Sequence, residues 1–181
     1  MLNRVVTVAA LAVGGALLSK QMKKNKGSGM DSSIIETIEV NAPVSTVYNQ
    51  WTQFEDFPQF MASVHEIRQL DDKHLHWKAN VAGEEKEWDV EITEQIPDKR
   101  IAWRSTSGVP NGGVVTFHKI SDNLTRVALQ MDYQPEGPLE KLGDAFGAVR
   151  LETCGNLQKF KDMLEKRGRE TGAWRGSISQ H

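Results

Sequence analysis

Residues 34–61, IIETIEVNAPVSTVYNQWTQFEDFPQFM, decide the fold. Ile34-Ile35-Glu36-Thr37-Ile38-Glu39-Val40 alternates as a half-buried strand does, then breaks at Asn41-Ala42-Pro43. Asn41 suits a helix N-cap and Pro43 the first turn, which places Val44, Val47, Tyr48 and Trp51 on one stripe of a short helix. Phe54, Phe57, Phe60 and Met61 repeat that stripe around Pro58. A strand, two tiny helices and then strands alone is not the order of an alternating α/β chain, so the pattern points to an α+β fold.

Working outward, Val64 to Leu70 reads as a strand, and turn residues recur from Asp71 onward as in a meander. Within His74 to Val81, Leu75, Trp77, Ala79 and Val81 share one face, and His74, His76, Lys78 and Asn80 the other. After the Gly83-Glu84 turn, Trp88, Val90 and Ile92 point one way. Arg100 to Thr106, Val114 to Ile120 and Thr125 to Tyr133 complete seven strands, antiparallel wherever a short turn joins them, with Gly108 to Gly113 as a long hairpin loop.

Pro135, Gly137 and Pro138 stop the sheet, and Leu139 opens a helix to about Arg167 with Leu142, Phe146, Val149, Leu157, Phe160 and Leu164 on one stripe. Gly143, Gly147 and Gly155 each cost roughly 1 kcal/mol against alanine in a helix interior, so something should offset them. Close packing of helix on sheet is the expected reason; room for a ligand is the alternative.

The chain has 181 residues, 39% hydrophobic and 25% charged, which suits one domain with extensions at both ends. Residues 1–30 carry Arg4, Lys20, Lys23, Lys24 and Lys26 and no acid, +5 in all, which leaves −7 for the rest of a chain whose net charge is −2. So acidic a body is a poor partner for nucleic acid. Val5 to Leu18 is uncharged and spans ~21 Å as a helix, and Leu2 to Met22 is long enough to cross a bilayer if Arg4 and Lys20 reach the headgroups. No A-x-A-like cleavage site follows Leu18, and the lysines beyond it resist export, which argues against a signal peptide. The expected organisation is a membrane-anchor helix over residues 1–22, a flexible linker over 23–32, a folded domain over 33–167 held on the cytoplasmic side, and a disordered tail over 168–181.

Ile38-Glu39-Val40-Asn41-Ala42-Pro43 with Val47 and Trp51, then Phe54-Glu55-Asp56-Phe57-Pro58-Gln59-Phe60-Met61, resemble the START-like superfamily and its polyketide cyclase/dehydrase and coenzyme Q-binding branch. Trp88, Arg100-Ile101-Ala102-Trp103-Arg104-Ser105, Gly108, Gly113, Phe117 and Tyr133-Gln134-Pro135 extend the resemblance, which covers about residues 33–166. It implies a helix-grip (Bet v 1-like) fold, a curved seven-stranded antiparallel sheet around a long C-terminal helix, enclosing a deep apolar cavity for a hydrophobic molecule. Trp77, Trp88, Val90, Trp103, Phe117, Leu142, Phe146 and Val149 are the candidate cavity residues.

Little else carries chemistry. His74 and His76 share a strand face with Lys78 and Asn80 that reads as solvated, so no metal site is expected. Cys154 is the single cysteine and lies on the long helix, there is no G-x-S-x-G, and Gly108 to Gly113 does not open a helix as a phosphate loop must. Glu36 and Arg104 could direct proton transfer in a cyclase, although both are expected to be exposed. The reading is therefore a tethered binding or carrier domain for a lipid or quinone-like molecule, without cofactor and without transforming its ligand. A cyclase/dehydrase-like enzyme is the alternative, and an interaction module using the tail around Trp174 a third.

Overall fold

The alternation that opens the chain forms β1 (Ser32–Val40), and the aromatic stripes form α1 (Val44–Trp51) and a 3-10 helix (Phe54–Gln59). β2 (Val64–Gln69), β3 (His74–Val81), β4 (Glu84–Ile96), β5 (Arg100–Ser107), β6 (Asn111–Ser121) and β7 (Leu124–Tyr133) follow, then α2 (Leu139–Arg167). This computed structural model describes residues 32–133 and 139–179. The expected anchor, residues 1–22, and the linker up to residue 31 lie outside them. No helix among the described residues is long and apolar enough to cross a membrane.

The seven strands make one antiparallel sheet in the order β1-β7-β6-β5-β4-β3-β2. Register shifts at Val64/Glu66, Asp89/Val90, Ile92/Glu94 and Lys119/Ser121 insert bulges, which bend strands and increase their twist, and the sheet curls around one face. The inner face of that curve and the Leu157, Phe160 and Leu164 stripe of α2 are buried. The long axis of the sheet has two unlike ends. At the end where α1 packs, Trp51 meets Phe57, Phe60, Phe117 and Phe160 with ring centroids 4.9–6.3 Å apart, and Tyr48 stands edge-on to Phe117 at 5.4 Å. These six rings are all buried and plug that end.

Three local expectations need correction. Asn41 does not cap α1: Pro43 occupies the N-cap with no side-chain cap bond, and the Asn41 backbone and side-chain N–H groups both donate to Glu165 of α2. The long 108–113 loop is only Gly108-Val109-Pro110, because Gly112 and Gly113 already pair in β6. The segment after Arg167 is not a loose tail. Residues 168–179 pack back across α1 and β4, with Ile178 buried and bridged to Gln95 and with Arg175 paired to Asp98, so the folded unit extends to at least residue 179.

Gly147 and Gly155 do not serve close packing, and the surroundings of Gly143 lie outside the described residues. An added Cβ at Gly147 or Gly155 would meet nothing within 4 Å, and Gly155 lies about half a turn round α2 from the buried Leu157 stripe. Gly155→Ala should therefore raise unfolding stability by about 0.5–1 kcal/mol through lost unfolded-chain entropy. Urea unfolding of the variant measures this, and a decrease would show a packing demand at Gly155.

Candidate functional site

Cross-strand register places Ile92, Trp103, Gly113, Met131 and Ile34 in one row across five strands of the inner face. A neighbouring row runs Ile101, Val115, Leu129 and Glu36. Along α2, β5 and β7, burial falls toward the end of the sheet where β7 leads into α2. On α2 the stripe is buried at Leu164, Phe160, Leu157 and Thr153 but only half-buried at Val149 and Phe146. On β5 the change comes between Ile101 and Trp103 and on β7 between Leu129 and Met131, while on β3 the half-exposed Trp77 stands between the buried Leu75 and Ala79. Trp77, Val81, Trp103, Val109, Met131, Val149 and Phe146 thus form a half-exposed apolar surface at that end. The opposite end is sealed by rings, so the candidate site lies here.

Local sequence explains its shape. Gly113 faces Trp103 across the β5/β6 pair, and a Cβ there would sit 2.7 Å from Trp103 Cζ2 and 2.4 Å from the Gln130 carbonyl, so the missing side chain lets the indole lie over the strand. Gly108, at φ +71°, brings the β5–β6 turn against Trp88, whose Cβ would be 2.8 Å from an added methyl. Trp77 and Trp88 pair across β3 and β4 and stack with centroids 5.8 Å apart and planes at 21°. Thr153 donates to the Val149 carbonyl and approaches the Met131 sulfur at 3.8 Å, which fixes α2 over β7.

Of the eight candidate residues, Val90 and Trp88 are buried in the inner wall, while Trp77, Trp103, Phe146 and Val149 are half-buried in it. Phe117 belongs instead to the aromatic plug, against Tyr48 and Trp51. The Leu142 side chain lies outside the described residues. Sequence reasoning missed Met131, although it keeps the parity of Val127 and Leu129, and Val81 and Val109 at the rim.

Glu36 also departs from expectation. It keeps the inward parity of Ile34, Ile38 and Val40, and its side chain is 15% exposed and paired with Arg150 of α2. Among the described residues it is the one ionisable side chain at an inward register position between Trp103 and Val40. Burial and then the neighbouring Glu36 carboxylate push the Cys154 thiol up, so that cysteine is no activated nucleophile. Arg104 is on the outer face, 67% exposed and 2.8 Å from Glu91. His76 and His74 also face outward, 2.8 Å from Asp89 and 2.9 Å from Asp71 respectively, as part of a solvated ladder of opposite charges.

Residues 40–161 match the polyketide cyclase/dehydrase and lipid transport family. The chain belongs to that family. An uncharacterised 17.2 kDa protein of Streptomyces lincolnensis is 53% identical over 148 residues, 81% of this chain and 99% of its own length. A START superfamily protein from Mycobacterium smegmatis superposes with a TM-score of 0.64 at 14% identity, covering 73% of this chain and 98% of the other. The Zhui aromatase/cyclase of Streptomyces sp. R1128 gives 0.64 at 17% identity, covering 79% and 99%. At such identities these structures share the helix-grip fold, and the polyketide cyclase/dehydrase family assignment rests on the matched residues.

Proposed function

We propose that this protein is a membrane-tethered binding or carrier domain, facing the cytoplasm, that holds a lipid or quinone-like molecule between the sheet and α2 and releases it unchanged. The observation that carries this reading is the falling burial along α2, β5 and β7, which leaves aromatic and aliphatic side chains half-exposed at the end of the sheet opposite the aromatic plug. Sites of this kind, mostly apolar with few polar groups, suit small hydrophobic ligands. The apolar segment 5–18 and its flanking cations support the tether, which would hold the site near a ligand that hardly dissolves in water.

The inward Glu36–Arg150 pair favours a second reading, a cyclase-like enzyme in which the carboxylate moves a proton on a bound substrate. One experiment addresses both. The full chain is purified from membranes and its organic extract examined by mass spectrometry, beside Val149→Trp and Glu36→Ala. A carrier yields a near-stoichiometric hydrophobic compound that Val149→Trp reduces at least about tenfold, a loss of ~1.4 kcal/mol in binding, and that Glu36→Ala retains. Extract compounds that change structure between the parent and Glu36→Ala would favour the enzyme. Recovery of the full chain in the soluble fraction, or an empty folded protein, would overturn the tether or the carrier respectively.

A further inference from the structure

The stacked pair Trp77 and Trp88 carries an anomaly that packing does not explain. Both indole Nε1 atoms are buried and neither has a hydrogen-bond partner among the described residues. A donor left in that state has lost its hydration without gaining a hydrogen bond in return, and buried tryptophans ordinarily find an acceptor. The rings cannot satisfy one another: at 21° between planes, the in-plane N–H of either indole runs alongside its neighbour and not into its π-face. A third such buried donor, Arg100 Nε, has the Glu94 carboxylate 3.0 Å away as an ion-pair partner.

Their position gives the anomaly a meaning. Trp77 and Trp88 face each other across β3 and β4 on the inner side of the sheet, with Ile67 next to Trp77 in the same row and Val90 one step further along β4. Trp77 is half-exposed and Trp88 is 7% exposed, so the pair bridges the rim and the depth of the candidate site. We infer that Trp77 and Trp88 are the polarity-selecting residues of the site: their N–H groups donate to acceptor oxygens, carbonyl or quinone in type, on the buried part of the ligand. This rests on the carrier reading above and narrows it. A ligand without such oxygens leaves both donors unpaired and binds on apolar contact alone, whereas an oxygenated ring system gains two hydrogen bonds and lies against an aromatic wall.

The probes are 2,3-dimethyl-1,4-naphthoquinone and 2,3-dimethylnaphthalene, which share a ring frame and differ in the two oxygens. Binding to the full chain in detergent is measured by equilibrium dialysis, for the parent and for Trp77→Phe and Trp88→Phe, which keep an aromatic ring and remove the donor. The quinone should bind about tenfold or more tighter than the hydrocarbon in the parent, and the gap should shrink to about twofold in the double variant. In the parent, the indole Hε1 proton resonances of both residues should move downfield with the quinone and stay in place with the hydrocarbon, a readout that does not depend on the variants folding. Equal affinities, or unmoved Hε1 resonances with bound quinone, would overturn the donor assignment while leaving the apolar site intact. Binding of neither probe would sink the site and this inference together.

Discussion

Trp51→Ala is expected to lower unfolding stability by about 3–5 kcal/mol, the usual range for truncating a fully packed tryptophan, out of about 5–15 kcal/mol for a domain of this kind. Trp51 is 3% exposed and touches four other rings, drawn from the 3-10 helix, the Phe60 that follows it, β6 and α2. Truncation leaves a void that those neighbours cannot all fill, because Phe57, Phe60 and Phe160 also pack against one another or against further rings. Urea unfolding followed by far-ultraviolet circular dichroism avoids using tryptophan fluorescence as the probe. A loss below about 1.5 kcal/mol would mean that the plugged end is not where the fold is held. Trp103→Ala, at the half-exposed end, should cost less than Trp51→Ala, because less area is returned to water.

That contrast marks what could be read from the sequence. Val47, Tyr48, Trp51, Phe54, Phe57 and Phe60 were visible as stripes of period three and four, and all six are buried. The seven strands were visible because Leu75, Ala79, Trp88, Val90 and Ile92 alternate and because turn residues separate the runs. Element order and one-sided apolarity then leave few ways to cover the sheet except with α2. Periodicity reports which face of an element is apolar, and it does not report how far along the element the burial extends. The site consists of that second quantity. Phe117 and Trp103 look alike in alternation, yet one fills the plug and the other lines the rim, because only the three-dimensional placement of α1 and α2 distinguishes the ends.

Glu36 shows the same limit from the other side. Its parity with Ile38 and Val40 was legible and pointed inward, but a carboxylate near the start of a strand is ordinarily solvated. Its partner Arg150 lies 114 residues away in sequence, on α2, so no local pattern could reveal the pair that makes the inward position tolerable. Trp77 and Trp88 were likewise recognisable as inward aromatics, but that neither indole nitrogen finds an acceptor among the described residues is a property of the packed structure.

Ending the chain after Gly168 is expected to cost on the order of 2–4 kcal/mol, far beyond the half kilocalorie or so of an inert tail. The segment 169–179 is polar and aperiodic, the composition of a disordered end, yet its partners are polar too. Gln50 is wholly buried, and its side-chain oxygen accepts from the Thr171 backbone N–H at 2.9 Å and from Arg167 at 3.1 Å. The Trp174 backbone N–H donates to the Thr52 hydroxyl at 3.1 Å, and Trp174 Nε1 to Asp72 at 3.2 Å. Arg175 makes a forked contact with Asp98, donates to Asn49 at 2.8 Å and lies 5.6 Å over the Tyr48 ring. Ile178 exchanges both backbone hydrogen bonds with Gln95, whose side chain in turn donates to the Tyr48 hydroxyl. An amphipathic-helix pattern assigns Asn49, Gln50 and Thr52 to water, so the face of α1 that receives this strap looks like surface until the strap lies on it. Since the strap lies over α1 beside the plugged end, its removal should lower the urea midpoint while leaving the relative affinity of the two naphthalene probes unchanged. Coincident midpoints would show that the contacts of residues 169–179 add nothing to the folded state.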